Sequence, residues 1–183
     1  MNDNGAPPRA EDRHVSPYST GEKIGRMLWA IAQATLFRGS FHTWNRWRIF
    51  VLRRFGARVD PSCIVRRTAR IECPWNLTMQ RNACLGDRAI AYCLGPITLG
   101  ERVTVSQNVH LCAGTHDFAR PDLPLLRPPI TIGDDAWIGA DAFVGPGVTI
   151  GANCLVGARS VVVKDLPPGM VCVGHPCRPV RPR

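Results

Sequence analysis

Ile132, Ile138, Val144, Ile150, Val156 and Val162 recur at an interval of six without a slip, and no other feature of the chain limits its fold so tightly. Five of the six are followed directly by glycine, at positions 133, 139, 145, 151 and 157. A helix would space apolar residues by three and four, and an ordinary strand would alternate over a few residues and stop. A strict interval of six describes a short strand and a corner, repeated, with three such units closing one triangular coil. Residues one coil apart, such as Ile132 and Ile150, then stack about 4.8 Å from one another as neighbours in a parallel sheet. The apolar residue points inward, and the glycine is expected to ease the bend through a positive φ.

The same phase runs backwards through Val59, Val65 and Ile71, then Met79, Leu85 and Ala91, then Leu99, Val105 and Leu111. The reading is an all-β solenoid of five coils over residues 57–165, preceded by a short α-helical segment, 23–56. Between Leu111 and Ile132 the chain is about fifteen residues longer than a corner requires, so residues 112–130 are expected to leave the solenoid as a loop. A loop of that length inside a compact domain calls for a functional reason. Residues 166–183 form a C-terminal tail, and residues 1–22 are expected to be a disordered polar tail.

At 183 residues and 45% apolar composition, the chain has room for one domain with a continuous core. Residues 1–20 are polar and carry no apolar run ending in a cleavage site, which points to a cytoplasmic protein. The longest apolar stretch, 27–37, is about half of a bilayer crossing and is interrupted by Gln33 and Thr35. Eight cysteines include no C-x-x-C pair and read as reduced, small apolar fillers. The formal charge of +9 suits an anionic partner, yet neither basic cluster carries a nucleic-acid motif, and no nucleic acid is expected.

Residues 23–37 and 43–55 read as two helices, with Trp44, Trp47 and Val51 on one face of the second. From 23 to 55 there are seven Lys or Arg and no Asp or Glu. Two roles fit: the helices cap the open end of the first coil, whose sheet edges would otherwise be bare, or they make a peripheral contact with an anionic membrane.

The run PPITIGDDAWIGADAFVGPGVTIGANCLVGARSVVVKDLPPGMVCVGHPCRPVR resembles the C-terminal half of bacterial hexapeptide-repeat acyltransferases. ECPWNLTM and YCLGPITLG resemble the colanic acid biosynthesis acetyltransferases in particular, within the branch that holds galactoside and maltose O-acetyltransferases. LCAGTHDF resembles the segment carrying that family's catalytic histidine. The resemblance implies a left-handed parallel β-helix, a homotrimer with sites between subunits, acetyl-CoA as co-substrate without a metal, and a saccharide acceptor in exopolysaccharide biosynthesis.

Transfer of an acetyl group from a thioester to an alcohol needs a base of near-neutral pKa beside the hydroxyl. His116, at the start of the extruded loop, takes that role by resemblance, with Asp117 as a residue that could orient its ring and Cys93 standing where relatives place an acceptor-side Asn. The same resemblance assigns coenzyme contacts to Trp137, Ala140, Ala158, Val163, Lys164, Arg178 and Arg181. His175 is not assigned a catalytic role. Two other functions fit parts of the pattern: a non-enzymatic solenoid that binds a partner or membrane, and a zinc hydro-lyase like the γ-carbonic anhydrases, which His110 and His116 suggest and for which a third ligand is missing.

Overall fold

The computed structural model describes residues 15–183. Strands of two or three residues wind into three parallel sheets, one per side of a triangular solenoid. Sheet A stacks Val59, Met79, Leu99, Ile132 and Ile150 in register. Sheet B stacks Val65, Leu85, Val105, Ile138 and Val156. Sheet C stacks Ile71, Ala91, Leu111, Val144 and Val162. Every inward position read from the six-residue period is at most 2% exposed, so the period itself defines the core.

The fold departs from the sequence expectation in three places. A sixth turn begins above the five coils, where Leu166 bridges to Ile150 and Met170–Gly174 pairs with Leu155–Val156. Its apolar residues fall two short of the expected spacing because the corner between Val162 and Leu166 holds only Val163, Lys164 and Asp165, two fewer than the period provides. The repeat glycines, secondly, are not the residues with positive φ: that conformation belongs to Asn82, Arg88, Arg102, Asn108, Asp135, Asp141, Asn153 and Arg159 at the corners themselves. Glycine is needed for space instead, since a Cβ at Gly133 would lie 2.6 Å from the backbone nitrogen of Ala152, and one at Gly139 would lie 2.6 Å from that of Ala158. Thirdly, residues 20–22 belong to a helix and not to the polar tail; the expectation for residues 1–14 lies outside the described residues.

That helix, α1 (Thr20–Ala32), starts where Ser19 Oγ accepts from the Glu22 backbone N–H, and a π-helical turn, Gln33–Phe37, continues it. A second helix, α2 (Asn45–Arg54), follows after a short turn. Side chains from this segment satisfy the exposed edge of all three sheets in coil one. Arg53 Nε donates to the Val59 carbonyl at 2.6 Å in sheet A. In sheet B, Asn45 accepts from the Val65 N–H and Arg48 donates to the Val65 carbonyl. In sheet C, Gln33 accepts from the Ile71 N–H while Trp29 Nε1 donates to the Ile71 carbonyl. The helices therefore close the first coil by replacing the hydrogen bonds of a missing strand.

The face expected on the second helix is divided. Val51 is buried with Ile49 and Leu52 against the solenoid, whereas Trp44 and Trp47 are exposed.

Candidate active site

A groove of about 390 Å³ runs along the corner between sheets B and C on coils three to five. It is built from stacked corner residues: Ser106 and Gln107, then Gly139 and Ala140, then Gly157 and Ala158. The fit of one coil on the next keeps its floor narrow, because the glycines leave no room for a Cβ between layers. Trp137 walls it, pinned by a 2.9 Å hydrogen bond from its indole N–H to Ser106 Oγ while half of its surface stays exposed. Trp137, Ala140 and Ala158 thus come together as the sequence suggested, and Ser106 and Gln107 join them from a coil that carries no repeat glycine at that corner.

Arg178 and Arg181 stand exposed on the outer strand Cys177–Pro182, antiparallel to Met170–Gly174. Arg178 sits opposite Val173, whose side chain closes on Gly157 at the upper end of the groove. Val163 and Lys164 do not line the groove; they follow Val162 at the other end of sheet C, on the corner leading to sheet A. His175 lies in the turn of the C-terminal hairpin.

The extruded loop leaves from that second corner, on coil three. It is not structureless: Thr115–His116 pairs antiparallel with Leu125–Leu126. Arg127 on the returning arm forms an ion pair with Glu22 of α1 at 3.0 Å, which ties the loop to the capping helices. His116 is exposed, and its Nδ1 meets the Leu123 carbonyl at 2.6 Å. A carbonyl only accepts, so Nδ1 carries the hydrogen and Nε2 is left with its lone pair free. Leu123 holds that carbonyl in place from a left-handed backbone conformation, φ 45°, which a leucine adopts at a cost of order 1 kcal/mol or more.

Two expected site residues act elsewhere. Asp117 does not orient the His116 ring: its carboxylate accepts from the Ala119 N–H at 3.0 Å and stabilises the loop's own turn. Cys93 is fully buried and cannot meet an acceptor. Its thiol donates to the Cys73 carbonyl and accepts from the Cys73 N–H, and burial pushes it up to about 12. Leu123 went unnoticed in the sequence, since nothing in a leucine seven residues away marks it as a histidine's partner.

His110, on the strand of sheet C that leads into the loop, is wedged edge-on between Tyr92 and Phe143 with ring centroids 6.2 and 5.5 Å away. Its Nε2 is buried without a partner, and burial, helped by Arg70, lowers its pKa. Among the described residues, no three His, Cys, Asp or Glu side chains are grouped to hold a metal ion.

Comparison with known proteins agrees with this geometry. The family described as "Bacterial transferase hexapeptide (six repeats)" matches residues 129–164. WcaF of Escherichia coli (strain K12), named for acetyl transfer in colanic acid biosynthesis, is 43% identical over 163 residues, covering 89% of this chain and 90% of WcaF. Among solved structures, a maltose O-acetyltransferase from Clostridium difficile 630 superposes with a TM-score of 0.77 at 28% identity, over 90% of this chain and 91% of that one. A hexapeptide-repeat acetyltransferase of Vibrio cholerae O1 biovar eltor, complexed with acetyl coenzyme A, gives 0.80 at 25% identity, over 92% of each chain. With a curated relative this similar along nearly its whole length, the chain belongs to the hexapeptide-repeat acetyltransferases.

Proposed function

We propose that this protein transfers an acetyl group from acetyl-CoA to a hydroxyl of a saccharide in exopolysaccharide biosynthesis, in the cytoplasm, with His116 as general base. The observation that carries the reading is the division of the site between two corners. His116 leaves the solenoid at the corner after sheet C, while the groove lies at the corner before it, so the width of sheet C separates them within one chain. A homotrimer resolves this separation, with His116 of one subunit facing the groove of its neighbour. Val163 and Lys164, on the His116 side, then reach a coenzyme lying in the neighbour's groove, and Arg178 and Arg181 supply cations for its phosphates.

The chemistry follows from the ring's anchoring. Nδ1–H is held by the Leu123 carbonyl, so Nε2 accepts the proton of the acceptor hydroxyl as its oxygen attacks the thioester carbonyl. The tetrahedral adduct collapses with loss of the CoA thiolate, and Nε2–H returns the proton to that sulfur. No covalent acyl-enzyme forms. The buried thiols take no part, since burial raises the pKa of each, that of Cys93 to about 12, and leaves little thiolate at neutral pH.

The test is acetyl-CoA turnover with oligosaccharide acceptors and with their amino-sugar counterparts. Product with the hydroxyl acceptor, and loss of about 10²–10⁴-fold in kcat/KM for His116→Ala at unchanged Tm, supports the reading. No turnover with any saccharide, or an unaffected His116→Ala enzyme, overturns it.

A further inference from the structure

Capping uses only one side of the N-terminal helices. On α1 the opposite side presents Ile24, Met27, Leu28 and Ile31, spaced i, i+3, i+4 and i+7, each about half exposed or more. The surface continues through Leu36 to an aromatic group, Phe41, Trp44, Trp47 and Phe50, all exposed. These rings are ordered in pairs: Phe41 and Trp44 lie 5.5 Å apart, Trp47 and Phe50 stack at 5.7 Å, and the Trp47 indole N–H is tied to the Leu36 carbonyl. Over half of the exposed large apolar side chains among the described residues fall within residues 24–50. A soluble monomer rarely leaves so many together without a use for them.

Charge identifies the partner. Lys23, Arg38, Arg46 and Arg54 surround this surface, and none takes part in an ion pair among the described residues. Arg58 and Arg67 on the first coil add exposed cations beside them. No acidic residue interrupts the segment from 23 to 55. Two such caps brought together would set cation against cation, and the opposite end of the solenoid, with Arg178, Arg181 and Arg183, is basic as well. Among the described residues, no helix is long and apolar enough to cross a membrane. An apolar stripe with interfacial tryptophans and a ring of unpaired cations is the composition of a helix that lies in the surface of an anionic bilayer.

We infer that the N-terminal cap is a membrane-docking face, on which α1 and the aromatic group enter the headgroup region of anionic lipid while the surrounding arginines meet lipid phosphates. The face is distinct from the corners that hold His116 and the groove, so docking and acetyl transfer are separable properties.

The experiment is sedimentation of the full-length protein with phosphatidylcholine vesicles, with and without about a third phosphatidylglycerol, at near-physiological salt. Binding is expected only to the anionic vesicles, with a blue shift of tryptophan emission. A Met27→Asp/Ile31→Asp variant should lose at least about tenfold in partitioning. The exposed pair Arg46→Gln/Arg54→Gln, which leaves the capping hydrogen bonds intact, should lose about fivefold per cation. Absence of binding to anionic vesicles, or equal binding by both variants, overturns the inference. So does a change in oligomeric mass of the Met27→Asp/Ile31→Asp variant, which would assign the face to another copy of the chain.

Discussion

His110 shows how a single side chain links packing to pH. Its folded pKa lies below the ordinary histidine value because the space between Tyr92 and Phe143 disfavours the imidazolium. The unfolded chain therefore binds more protons as the pH falls through about 6.5, and the stability that neutral His110 contributes is complete above that value and lost below it. His110→Phe keeps the aromatic contacts and removes the titration, so urea midpoints measured between pH 7.5 and 5.5 should vary less than in the parent protein. His116 illustrates what a sequence conceals at this scale. The loop and the family pattern single it out in the sequence, but its anchor was not legible, because the Leu123 carbonyl reaches it only through an antiparallel ladder and a left-handed leucine. Cys93 was misplaced for a related reason: position along a coil does not reveal that a small thiol turns inward.

Among the elements, the coils were the most legible and the cap the least. A period of six places one side chain of every unit on the axis, so register followed directly, and all fifteen inward positions are buried. The purpose of the glycines was not legible, because it depends on the coil above and not on the residue's own backbone. Nor did helical periodicity show which side of α2 would face the solenoid. Arg48 decides that. It is buried and donates to the carbonyls of Val65, Phe41 and His42 and to Ser40 Oγ, joining the second helix, the preceding turn and coil one. Arg48→Met should cost about 2–4 kcal/mol in denaturant unfolding, because several buried acceptors lose their donor together. Arg48→Lys should recover little of this, since an ammonium cannot reach all four from one point.

At the scale of the whole molecule, the separation of His116 from the groove makes a prediction that a site contained in one chain does not share. Ala158→Trp should block the groove and abolish coenzyme binding by calorimetry without lowering Tm, since Ala158 is exposed. Each of Ala158→Trp and His116→Ala alone should be inactive. Coexpressed in equal amounts, they should recover about a quarter of the wild-type sites, those in which an intact histidine meets an intact groove across a subunit boundary. The ends of the solenoid carry a different consequence. A parallel stack with bare ends is a seed onto which further copies add, coil upon coil, to make a fibre. Here one end is sealed by arginine, asparagine, glutamine and tryptophan side chains, while at the other the last strand of sheet B reverses direction and carries Pro179 and Pro182, which have no N–H to offer. The stack of coils thereby stops at a definite number, since its capped edges offer another copy no open row of hydrogen-bonding groups on which a fibre could grow.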